Sequence, residues 1–142
     1  MTKKIKFKFF TRNNGHSKGK YKSLNCGLKS KDNSYLIQLN ISKAVAQISN
    51  TPKNLILPSQ SHSNKCIIVS NNQKNYKCDA LVSNDLNCIL GITTADCLPI
   101  IFYDDNEKNI GICHAGWKGL TRGIIENTIN KMNYLGSKNR KI

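Results

Sequence analysis

A chain of 142 residues with 39% hydrophobic content suits one domain built on one core. No run nears the about 18 apolar residues that span a bilayer, and MTKKIKFKFF lacks the apolar stretch and cleavage site of a secretion signal, so a cytoplasmic protein with no membrane partner is expected. The formal charge of +14 comes mostly from lysines scattered among asparagines and isoleucines, with only Arg12, Arg122 and Arg140 as arginines; this field suits small anionic substrates and lacks the clustered arginines and aromatic platforms of a nucleic-acid reader.

In chain order, Lys4 to Phe10 predicts a first strand, with Ile5, Phe7 and Phe9 alternating against lysines. The Gly- and Asn-rich TRNNGHSKGKYKSLNCG follows, a loop long enough to be functional. Within it His16 reads as solvated, and Arg12, directly after the strand, as an anion contact. Asp32 to Ser49 predicts a helix on the stripe Leu36, Ile37, Ile41, Val45 and Ile48. NLILPSQ is a strand that Pro58 confines to an edge or an end, and it delivers His62 into a loop. KCIIVS, CDALVSN, NCILGITT, LPIIFYD and KNIGICH are further strands, separated by polar turns such as NNQKNYK and DDNEK. Leu120, Ile124, Ile125, Thr128, Ile129 and Met132 share one face of a last helix, which Gly136 closes. Many short strands with a helix near each end predict an α+β domain, a mixed β-sheet core flanked by helices.

Six cysteines, at 26, 66, 78, 88, 97 and 113, invite a disulfide framework, but without a secretion signal most read as small buried hydrophobes, and no CxxC pair is present. Cys97 differs. The stretch GITTADCLPIIFYDDNEKNIGICHAGWKG joins a TADC turn to an HAGW turn through two strand-length apolar runs, which can bring Cys97 and His114 to neighbouring strand ends. With His62 they form a set of imidazole and thiolate donors that zinc accepts, although the intervals of 35 and 17 residues match no local metal motif. Period two puts His114 on the face of Ile110 and Ile112, where it could equally be a hydrogen-bonded residue at the core edge. Without metal, Cys97 could be a nucleophile activated by His62 or His114. Asp96 beside it could orient a ligand, take a proton from water, or cap a turn. In HAGWKG, Gly116 and Gly119 permit a sharp entry into the helix, whose start favours an anion such as phosphate; Lys118 adds charge, and Trp117 offers either a stacking surface or plain packing.

Taken together, SQSHS, CDALVSN, GITTADCLPIIFYD and GICHAGWKGL resemble the YfiH/laccase-domain family, also called polyphenol-oxidase-like or multicopper-oxidase-like. FFTRNNGHSKGKYKSLNCGL is similar to that family's opening T-R-x-G-G-x-S…S-L-N, with Asn14 where a first glycine is usual. The resemblance runs from about Phe9 to Met132 and implies a YfiH-like sandwich with zinc held by His62, Cys97 and His114. It also implies purine nucleoside phosphorylase activity on adenosine, inosine, guanosine and methylthioadenosine, with adenosine deamination. His62, Cys97, His114 and Asp96 are then the catalytic set. Arg12, Gln60, Trp117 and Lys118 are the substrate-binding set, and purine nucleosides and phosphate are the small-molecule partners. Copper fits poorly, since a multicopper oxidase needs about ten histidines and this chain has three.

Two departures bear on activity. Lys118 stands where the family has arginine, a point charge for a bidentate donor. The sequence also lacks the family's later G-P-C-I-G-type segment, so a domain incomplete at its C-terminal end is expected, with open sheet edge and apolar surface. Two other readings therefore stand beside the phosphorylase: an inactive or partner-dependent remnant, and a metal-free Cys/His amide hydrolase.

Overall fold

The computed structural model describes residues 5–51, 53–70, 73, 75–104 and 106–137. The chain divides into two compact units, Met1–Lys53 and Asn54–Ile142. No helix among the described residues is long and apolar enough to cross a membrane. Lys4, part of the NNQKNYK turn, and the end of the tail lie outside the described residues.

In the first unit, Asn33 starts helix α1 (Ser34–Ala46) by accepting from the N–H groups of Tyr35 and Leu36, donors that the first turn leaves without partners. This cap sets the helix start at Ser34, two residues past the expected Asp32, and the helix ends at Ala46, short of the expected Ser49. Of that stripe only Ile37 is fully buried; the other fully buried residue of the helix is Asn40. Its amide donates to Ser17 Oγ at 2.9 Å, to the Ser23 carbonyl at 3.2 Å and to the Asn25 carbonyl at 2.9 Å, and accepts from His16 N–H at 2.7 Å. A buried amide is costly unless so satisfied, and here it orders the long polar loop. The expected first strand is absent: residues 5–10 have no ladder partner among the described residues, and Phe7 and Phe9 are 60% and 57% exposed. Alternation alone does not make a strand when no neighbour completes its hydrogen bonds.

Among its described residues the second unit holds six strands: β1 (Asn54–Ile56), β2 (Cys66–Ile68), β3 (Ala80–Ser83), β4 (Cys88–Leu90), β5 (Leu98–Asp104) and β6 (Asn109–Ala115). Strands β1 and β4 pair in parallel as a two-stranded sheet, and the other four form a mixed sheet in the order β2-β3-β6-β5. Within it β2 and β3 are parallel, while β6 runs antiparallel to both β3 and β5. Central β3 is buried along its whole length, as a strand covered on both faces must be. Ala80 and Val82 face one layer with Cys66, Cys113, Ala115, Ile124 and Met132, while Leu81 faces the other with Ile56, Tyr76, Cys78 and Cys88. Helix α3 (Ile124–Tyr134) lies over the first face and the β1/β4 pair over the second.

The last helical pattern is broken into α2 (Trp117–Thr121) and α3 (Ile124–Tyr134). Gly123, at φ +80°, takes the left-handed conformation between them. At the far end Gly136 N–H donates to the Asn133 carbonyl at 2.9 Å and Ser137 N–H to the Met132 carbonyl at 3.1 Å, the paired bonds of a glycine stop. The architecture is thus α+β, with mixed sheets flanked by helices and no closed barrel, as the sequence predicts.

Candidate metal centre

Three loop ends meet on the β1/β4 side of the main sheet. His62 follows β1, Cys97 follows β4 and opens β5, and His114 is the penultimate residue of β6. Their ligand atoms all lie within 4.8 Å of one another. Cys97 Sγ stands 3.7 Å from His62 Nε2, and the two imidazoles cross edge to face at 4.8 Å between ring centres. The thiol–imidazole separation is close to the edge of a tetrahedral zinc shell, about 3.5 Å for metal–ligand bonds of about 2.0 to 2.3 Å.

Asp79 organises two of the three. It is fully buried just before β3, and its carboxylate accepts from the N–H groups of Ser61, His62 and Ser63, the last at 2.7 Å, and from Ser63 Oγ at 2.7 Å. It also lies 2.8 Å from His114 Nδ1. An ionised carboxylate only accepts, so Nδ1 carries the proton and Nε2 of His114 is left free as a ligand. The same carboxylate holds His62 at φ +60°, a left-handed conformation costly for a side chain with a Cβ. Burial by itself raises the Asp79 pKa; the hydrogen bonds from His114, Ser63 and Ser61 outweigh it and hold the carboxyl down to about 2. Asp79 was missed in the sequence, where CDALVSN reads as a plain strand; the available signal was a carboxylate set directly against a run of apolar residues.

The remaining candidates sit as follows. Gly116 is buried beside the donors: a Cβ there would come within 2.9 Å of His62 Cδ2 and 3.1 Å of Cys97 Sγ. Asp96 is exposed, with Oδ1 3.6 Å from Cys97 Sγ. Trp117 is 71% exposed at the start of α2, with Lys118 Nζ 5.4 Å from its ring centre. Helix α2 has only five residues, so little dipole stands behind an anion at its start. Gln60 turns its amide onto Thr93. Arg12 lies in the first unit, where Nε and Nη2 both donate to the Lys22 carbonyl, Nε at 2.8 Å. His16 is exposed in the same loop, its N–H given to Asn40.

The thiols divide by environment. Burial pushes Cys66 up to about 11 and Cys78 and Cys113 up to about 12, which keeps them protonated and inert. The Cys97 thiol is also raised, by partial burial and then by the negative charge and hydrogen bond of Asp96. Binding a cation there would displace that proton. We expect iodoacetamide at neutral pH to reach Cys97 in the metal-free folded chain, to be blocked there by zinc, and to reach Cys66, Cys78 and Cys113 only after unfolding. Mass spectrometry of digested samples reads this; labelling of Cys97 unchanged by zinc would count against its ligation.

Residues 6–142 match the family described as multi-copper polyphenol oxidoreductase laccase. A Bacteroides thetaiotaomicron protein named purine nucleoside phosphorylase is 31% identical over 132 residues, covering 86% of this chain and 49% of that protein. A Haemophilus influenzae protein of the same name is 33% identical over 119 residues, covering 84% of this chain and 48% of its own length. The crystal structure of a Bacillus licheniformis hypothetical protein, YfiH, superimposes with a TM-score of 0.80 at 30% identity, covering 89% of this chain and 51% of that one. The chain spans about half the length of the curated relatives it matches.

Proposed function

Because the chain belongs to the multi-copper polyphenol oxidoreductase laccase family and gathers His62, Cys97 and His114 at one point, we propose that it binds one zinc ion there and catalyses the phosphorolysis of purine nucleosides. The observation that carries this is the convergence of two imidazoles and a thiol with the Asp79 carboxylate behind them. The donor set fits zinc: nitrogen and sulfur ligands, a hydrogen-bonded partner fixing one imidazole, and an open side where His62 and Asp96 face solvent. The three donors gathered here make one mononuclear site, not the several copper centres of a multicopper oxidase.

The bound metal would supply Lewis acidity and an acidified water. The chain's own residues supply the rest. Asp79 keeps His114 in one tautomer and one orientation. Trp117 offers an exposed ring face on which a purine can stack. Lys118, beside that ring, places a positive charge for phosphate, which attacks the ribose C1′ as the base departs. Asp96, next to Cys97, is placed to pass a proton to or from water, the step that deamination of adenosine requires. Adenosine, inosine, guanosine and methylthioadenosine are the substrates to test, with cytoplasmic nucleoside pools as the source.

The test combines metal content with phosphate-dependent release of hypoxanthine from inosine, for the wild type and Cys97→Ala. We expect one zinc per chain and turnover in the wild type, and loss of both by at least about 100-fold in the variant. Copper in place of zinc would overturn the cofactor assignment. Zinc binding without turnover would favour a binding module over an enzyme, and phosphorolysis surviving chelation would overturn the metal's part in the reaction; hydrolysis of amide substrates by the chelated protein would favour the Cys/His hydrolase.

A further inference from the structure

We propose that Gln60 is a positioning residue for Cys97, its side-chain amide serving as the last rung between the two loops that bring His62 and Cys97 together. The inference rests on the metal-site reading above. Strands β1 and β4 pair over three residues, Asn54 with Cys88 through Ile56 with Leu90, and the final backbone bond runs from Gly91 N–H to the Ile56 carbonyl at 3.0 Å. Beyond it the two chains separate. Gln60 Nε2 donates to the Thr93 carbonyl at 2.8 Å, while its Oε1 accepts from Thr93 N–H at 2.9 Å and Thr93 Oγ1 at 3.2 Å. A side-chain amide thus reproduces the donor and acceptor of a backbone peptide, and the pairing continues past the end of the strands.

What this holds is specific to one ligand. His62 and His114 are fixed through Asp79. Cys97 has no such partner in that cradle. On its C-terminal side the β5 ladder begins at once, Leu98 opposite Ala115 and Pro99 opposite His114. On its N-terminal side Thr94, Ala95 and Asp96 are exposed, and the tie before them is Thr93 to Gln60. Without that tie the segment from Gly91 can pivot about Leu98 and carry the thiol away from the imidazoles. With its oxygen and one amide N–H engaged by Thr93, Gln60 acts through the position of the loop that carries Cys97.

Cobalt(II) titration tests this, because sulfur-to-cobalt charge-transfer absorption reports the thiolate alone, separately from affinity and from turnover. Gln60→Ala and the length-preserving Gln60→Met are expected to bind cobalt at least about tenfold more weakly, with a reduced charge-transfer intensity per bound ion. Thr93→Ser, which keeps the backbone and hydroxyl partners, should match the wild type in both. If Gln60→Ala does not fold by circular dichroism, Gln60→Met carries the measurement. Wild-type affinity and intensity in either folded Gln60 variant overturns the proposal while leaving the metal site standing; a wild type without the charge-transfer band overturns both.

Discussion

Asp79→Asn is expected to destabilise the second unit by about 3 kcal/mol and to weaken zinc binding by at least about tenfold. The substitution keeps the shape but replaces one acceptor oxygen with an NH2 group. Asp79 receives the N–H groups of three successive residues, the Ser63 hydroxyl and His114 Nδ1, so the new donor must face donors wherever it turns. Each buried donor left without an acceptor costs about 1 to 3 kcal/mol, and a domain of this size has about 5 to 15 in total. Urea unfolding and a zinc competition titration read the two effects. Unchanged values in both would remove Asp79 from the site's framework.

The same carboxylate sets a pH dependence whose sign is fixed. Its folded pKa of about 2 lies below the ordinary 3.8, so the folded chain holds the ionised form more tightly than the unfolded chain does. That contribution, about 2 kcal/mol at one pKa unit per 1.4 kcal/mol, is complete above pH about 4 and is lost as pH falls towards 2. An acid series should show it in the wild type and not in Asp79→Asn.

Gly116→Ala is expected to leave the fold intact and to cost about 10- to 100-fold in metal affinity. The backbone at Gly116, φ −73° and ψ 159°, is one that alanine adopts freely, so no conformational strain enters. The added methyl does. It would stand 2.9 Å from His62 Cδ2 and 3.1 Å from Cys97 Sγ, closer than carbon packs against either. Cδ2 adjoins the Nε2 that faces Cys97, so relieving the contact moves a ligand atom directly. Isothermal titration with zinc measures the loss and thermal unfolding checks the fold; an affinity equal to wild type would show that the donors tolerate displacement.

Much of this was legible in the sequence, for identifiable reasons. The strands described in the second unit fall within apolar runs bounded by turn residues; Cys97 stands directly before β5 and His114 next to the last residue of β6, while His62 lies in the loop after β1. Period two put His114 on the face of Ile110 and Ile112, and that face does turn towards the β1/β4 layer, where both pack. Other features are decided by partners far along the chain. Residues 5–10 alternate as a strand should, yet pairing is a property of two segments. Gly123 is unremarked inside an apolar stripe until its left-handed backbone splits the helix. Asn40 and Asp79 look like surface residues by type; each is buried because several N–H or C=O groups from distant loops converge on it. The pairing of β1 with β4 is likewise set by the layer they jointly cover.

The donors of the centre come from the ends of both sheets: His62 leaves the two-stranded one, His114 ends a strand of the four-stranded one, and Cys97 lies on the crossing between them. An ion seated there would rivet the two sheets, which otherwise meet through apolar side chains. Shear between the layers would then require breaking coordination bonds, and resistance to heat would become a function of the free metal concentration, rising by about 1.4 kcal/mol for each tenfold excess over the dissociation constant.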